Sequence, residues 1–145
     1  MEKELEELKK ALITAAKGEY KSKLFNNLSM ADTVLLDCLY DDISGKNDGI
    51  SGKQLKEIAE ELHITRPALT QQVNKLEARR IIRRVVSQSG KRASYIKFTE
   101  YGLELYKRER QSLEKNIKDF VQAFGESDCE ELIRLMRKLE SIASQ

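Results

Sequence analysis

Apolar residues return every three or four positions along most of the chain, and in one segment that rhythm gives way to strict alternation. The helical rhythm begins at once. Leu5, Leu8, Leu12 and Ala15 or Ala16 line one side of an opening segment with acids early and lysines late, as a helix dipole favours. After a polar stretch at Asn26 and Asn27, Ser29 precedes Asp32 by three, a capping signature, and Val34, Leu35, Cys38 and Leu39 follow on one face of a second helix. Ser51 with Gln54 predicts another cap, opening a helix of about ten residues that carries Leu55, Ile58, Ala59 and Leu62 and ends near Leu62. Thr65 caps the next helix, Pro67 falls in its first turn, and Leu69, Val73 and Leu76 form its only apolar stripe. Alternation takes over in "IIRRVVS" and "ASYIKFT", which flank "QSGKR" and predict a hairpin with a basic, glycine-bearing tip. Thr99 then caps a long helix with Leu103, Tyr106, Leu113, Ile117, Phe120, Val121 and Phe124 on one stripe, broken at Arg110. Gly125 stops it, and a cap from Ser127 and Glu130 opens a last helix bearing Leu132, Ile133, Met136, Leu139 and Ile142.

Two short helices joined by about two residues and followed at once by a hairpin make a winged helix-turn-helix. The fold class expected is therefore mainly α with a small β-hairpin wing. No repeat or linker divides the chain, so residues 1–145 read as one domain, with the winged helix over 28–103 and flanking helices over 1–27 and 104–145. The glycine-rich stretch "DDISGKNDGISGKQ" between the second and third helices reads as a loop, in which Ile50 could form a short strand. It is not a calcium loop: with Gly49 in the sixth position, Lys46 and Leu55 stand where ligands are required.

If Leu69, Val73 and Leu76 face inward, the outward face of their helix consists of Arg66, Thr70, Gln71, Asn74 and Lys75, side chains that match base edges and phosphates. Charge sharpens this reading. Residues 63–98 hold nine Lys or Arg against one acid, Glu77, a net +8; since the chain totals +2, the other 109 residues carry −6. A positive rim on an acidic body suits a polyanionic partner. Expected DNA contacts are Thr65, Arg66, Pro67, Thr70, Gln71, Asn74 and Lys75 on the recognition helix, Arg84, Gly90, Lys91 and Arg92 in the wing, and Ser51 and Lys53 on phosphate. The competing class is a winged helix that binds protein without sequence-specific DNA binding; such a face would carry aromatics or aliphatics at Arg66, Thr70 and Asn74.

Other chemistries find little to work with. There is no phosphate-binding glycine loop, nucleophile elbow or carboxylate pair, so no enzyme is expected, and no cofactor. The single histidine, His63, lacks partners for a metal, and histidine is among the residues that tolerate positive φ in a turn. No apolar run approaches the roughly 18 residues of a spanning helix, and Cys38 and Cys129 follow neither disulfide nor metal spacing, which predicts a soluble, cytoplasmic protein away from the membrane.

The segment "KEIAEELHITRPALTQQVNKLEARRIIRR" with "GKRASYIKFTEYGLELY" resembles the MarR family of bacterial winged-helix transcriptional regulators. The resemblance implies that Arg92 enters a minor groove, that Thr99 and Gly102 fill the family's LTxxG positions, that Thr65 replaces a capping serine, and that Thr70 and Gln71 replace a serine–arginine pair. It also shows departures. Gly90 replaces the wing aspartate, Arg80 replaces the glycine after the recognition helix, and Gln71, an amide in place of arginine, favours adenine over guanine.

Surplus apolar surface at Leu5, Leu8, Leu12, Leu132, Met136 and Leu139 predicts a homodimer interface, and a symmetric pair suits a pseudopalindromic operator. The resemblance further implies a repressor of double-stranded operator DNA, released by a small molecule or an oxidant. Tyr20, Tyr40 and Tyr106 are candidates to line a pocket for a small aromatic or phenolic effector. Cys38 is the candidate redox residue, ahead of Cys129, which has acidic neighbours on both sides.

Overall fold

The computed structural model describes residues 1–46, 52–86 and 94–145. Helix α1 (Glu2–Lys17) and a short α2 (Tyr20–Leu24) lead to α3 (Met30–Lys46). Strand β1 (Lys53–Gln54), α4 (Leu55–Leu62), α5 (Arg66–Ala78), β2 (Ile82–Val86) and β3 (Ser94–Phe98) form the winged region, and α6 (Glu100–Phe124) and α7 (Glu126–Ala143) complete the chain. The strands make one antiparallel sheet in the order β1-β3-β2, with Lys53 opposite Ile96 and Ile82 opposite Phe98.

Ser29 caps α3 reciprocally: its hydroxyl accepts from the Asp32 amide at 3.0 Å, while its own amide donates to the Asp32 carboxylate at 3.4 Å. The buried face of α3 comprises Leu35, Leu36, Cys38 and Leu39, which pack with Ile58, Leu69, Val73, Leu76, Ile81 and Ile96 into the core. Complete burial of such a side chain stabilises the fold by roughly 1.5–3 kcal/mol.

Several local expectations need correction. Val34 points outward and is 47% exposed, because the register of α3 puts Leu35 and Leu36 on the core instead. Helix α2, for which the sequence predicts no element, packs along α6, and Asn116 donates to the Leu24 carbonyl at 3.0 Å. Gln54, not Ser51, is the N-cap of α4, and its side chain makes no cap bond, reaching instead to the Tyr95 hydroxyl at 2.8 Å. The extra strand lies at Lys53–Gln54, paired with β3; Ile50 is outside the described residues. At α7 the N-cap is Gly125, at φ 97, and no side chain caps that end, so the Ser127–Glu130 box does not form. Gly125 serves both helices and takes the position a serine cap would need.

Both helices of the helix-turn-helix end in the same way, although neither uses glycine. His63 has φ 54 and Arg80 φ 61, and each is followed by an amide that reaches five residues back, Ile64 to the Ala59 carbonyl and Ile81 to the Leu76 carbonyl. This is the Schellman arrangement, which saturates the last carbonyls and turns the chain sharply. Thr99 caps α6 by accepting from the Gly102 amide at 2.9 Å. Gly102 is needed for contact: a Cβ there would lie 1.8 Å from the Ile81 carbonyl oxygen, so α6 can approach the chain just beyond α5 only with glycine at this position.

Candidate nucleic-acid interface

Thr65 caps α5 through a bond from the Ala68 amide at 3.3 Å, with Pro67 in the first turn, where a missing amide hydrogen is harmless. Leu69, Val73 and Leu76 are fully buried and fix the rotation of the helix. The opposite side then presents Arg66, Gln71, Asn74 and Lys75 exposed, with Thr70 half-buried at its margin. This is the face expected from the sequence, brought together on one helix.

The hairpin flanks that face. Arg83 is exposed on β2 and stands directly opposite Lys97 on β3. Arg84 is tied to α5, as Nη1 donates to Glu77 at 2.6 Å and Nη2 donates to the Asn74 Oδ1 at 2.7 Å. Gly90, Lys91 and Arg92, expected in the wing, and Ser51, expected on phosphate, lie outside the described residues.

Lys53 is less available than its sequence position implied. Its side chain is 13% exposed and its ammonium sits 2.6 Å from the Glu61 carboxylate, so a phosphate contact requires that pair to open. Burial works against the ammonium, but the bond to Glu61 and the neighbouring Cys38 together lift the pKa of Lys53. The same carboxylate accepts from the Cys38 thiol at 3.0 Å. Burial first, and then the bond to Glu61, push that thiol up to about 11. A redox sensor needs a thiolate near neutral pH; Cys38 is held in the opposite state.

A set of contacts that no motif announced joins the end of α5 to the rest of the chain. Arg79 turns away from the exposed face and donates to the Asn27 carbonyl at 3.0 Å, with Asp32 at 4.0 Å. Gln72 donates to Asp32 at 3.3 Å, and Glu109 on α6 accepts from both the backbone and side chain of Asn27, at 3.0 and 3.1 Å. The only trace of this in the sequence is the Ser29–Asp32 cap, whose carboxylate serves α5 as well.

The three tyrosines do not share a pocket. Tyr40 and Tyr106 lie 5.1 Å apart, centroid to centroid, and line a cavity of about 370 Å³ between α3 and α6. Tyr20 lines a separate cavity of about 490 Å³ between α2 and α6, because α2 carries it away. The Tyr106 hydroxyl donates to the Asp37 carboxylate, and Arg110 reaches the same carboxylate at 3.4 Å, which accounts for the polar break in the α6 stripe. Burial, followed by the bond to Asp37, holds the Tyr106 phenol well above its ordinary range. Among the described residues no cluster of three metal-ligating side chains occurs, and no helix is long and apolar enough to cross a membrane.

Residues 45–93 match the model of the MarR family. No curated protein matches the chain. Among solved structures, the chain is similar to the transcriptional repressor CouR bound to a 23-mer DNA duplex, at 23% identity and a TM-score of 0.63 over 79% of this chain and 75% of that one. It is similar over 94% of its length, and 91% of the other's, to the PcaV transcriptional regulator from Streptomyces coelicolor in complex with its natural ligand, at 16% identity and a TM-score of 0.69. Streptococcus pneumoniae FabT in complex with DNA aligns over 99% of this chain and 98% of its own, at 14% identity and a TM-score of 0.66. At these identities the structures establish a shared fold from the first helix to the last. The family match falls on the helix-turn-helix and wing, so this segment is similar to the MarR family, and the winged-helix fold shared with the solved regulators extends over the rest of the chain.

Proposed function

We propose that this chain acts as a homodimeric repressor that grips a pseudopalindromic operator with two copies of α5 and two wings. The observation that carries the reading is the division of α5 into a sealed apolar side and an exposed side made of Arg66, Thr70, Gln71, Asn74 and Lys75. A helix of this kind fits a major groove, and amide, hydroxyl and guanidinium groups are those that read base edges. The opposed pair Arg83 and Lys97 adds support: like charges facing each other across a ladder cost stability unless a polyanion compensates them. The CouR and FabT structures were solved with DNA, and PcaV with its ligand. The cavity beside Tyr40 and Tyr106 is the candidate effector site for a small aromatic or phenolic molecule. For dimerisation, the support is the outward apolar stripe of α1 and α7, including Leu5, Leu8, Leu12, Leu132, Met136 and Leu139.

A mobility-shift titration against the chain's own upstream DNA tests the reading. Arg92→Ala is expected to weaken binding on every sequence, and Gln71→Ala to change which operator is preferred. Equal and negligible effects of both substitutions would rule the assignment out.

A further inference from the structure

In the β2–β3 ladder Arg83 stands opposite Lys97 and Arg84 opposite Ile96. Opposed residues share a face of the sheet and successive residues alternate faces. Arg84 therefore lies on the face that carries the buried Ile82 and Ile96, towards the helices, while Arg83 points away. From the middle of β2 the Arg84 side chain passes the edge of the core and meets α5. Its backbone amide and Nη1 both donate to Glu77, at 3.2 and 2.6 Å, and Nη2 donates to Asn74 Oδ1 at 2.7 Å. Asn74 and Glu77 are three apart and adjacent on the helix surface, so one planar guanidinium can span them.

This contact fixes which way Asn74 faces. A guanidinium has donors only, so the carboxamide must turn its oxygen to Arg84 and its two amide hydrogens away from it. The charge of Arg84 is meanwhile matched by Glu77. Resting on the reading of the chain as a sequence-specific DNA binder, we propose that Arg84 is a positioning residue: it holds Asn74 as a pure donor, so that Asn74 reads guanine through O6 and N7. An unrestrained asparagine would favour adenine, whose two-point contact calls on the amide oxygen as acceptor.

The test is enrichment of duplexes from a randomised library by the full chain and by the N74A, R84M and R84K variants. The wild type is expected to select a guanine in each half-site that N74A no longer selects. R84M and R84K should lose preference at that same base pair by about tenfold and retain it elsewhere. Lysine keeps the charge, yet a single ammonium cannot hold Glu77 and Asn74 in one plane; R84K therefore regains affinity without regaining the guanine, and it carries the test alone if R84M does not fold. Unaltered base preferences in the Arg84 variants overturn the proposal. So does an equal loss on all sequences, which would put Asn74 on a phosphate. A wild type that binds a defined site in which N74A changes no base preference removes Asn74 from the readout and leaves the DNA-binding reading intact, whereas a wild type that enriches nothing overturns that reading and the clamp together.

Discussion

Among the described residues, every buried hydrophobic side chain lies between Leu28 and Tyr106, and neither α1 nor α7 contributes one. Both regions have helices with apolar residues at the same spacing. In the winged region the stripes of α3, α4, α5 and the start of α6 converge on the inner face of the sheet and seal one another. Along α1 and α7 similar stripes stay outward, with Leu8 58% and Met136 61% exposed. Helix α6 crosses from one regime to the other: Leu105 and Tyr106 are buried near its start, whereas Ile117, Phe120 and Phe124 are exposed farther along. Amphipathic spacing thus announces that a face will be covered, and leaves open by what. Under the proposed homodimer, the cover for these outward stripes is a second copy of the chain.

Substitutions should separate the two regions. The largest effect is expected in the winged core. Leu69→Ala should cost roughly 2–5 kcal/mol in chemical denaturation, because the residue is wholly buried. Gly102→Ala should cost about 3 kcal/mol or more by forcing α6 off the Ile81 carbonyl. Met136→Glu with Leu139→Glu should instead halve the mass seen by sedimentation and leave the circular dichroism of the winged region intact; an unchanged mass would break the contrast. Thr65→Ala should lower stability by about 1 kcal/mol through loss of the α5 cap. The smallest effect is a pH dependence. Because the folded state holds the Cys38 proton more tightly than the ordinary value of 9.0, its contribution is complete below pH 9 and fades as pH rises towards about 11. Denaturation midpoints measured across that range should fall for the native chain more than for Cys38→Ala.

Much of the fold can be read from local rules. The α5 stripe, the Thr65 and Thr99 caps and the hairpin follow from residue types at fixed spacings, and the exposed face of α5 follows by subtraction. What spacing could not show were partners distant in sequence. Glu61 joins Lys53 and Cys38, Asp32 serves Gln72 and Arg79, and Asp37 answers both Tyr106 and the polar break at Arg110. Lys53 and Arg84 looked like charges offered to DNA because a sequence lists cations without their counterions.

The sequence by itself determined the order of elements, their caps and which side of each helix is apolar, because these depend on contacts within a turn or two of chain. Tertiary structure alone decided which charges remain exposed, which carboxamide is clamped, and which apolar stripes find cover inside the chain. Those outcomes depend on strands and helices meeting across tens of residues, where a single carboxylate or carbonyl oxygen settles whether a side chain faces inward or out.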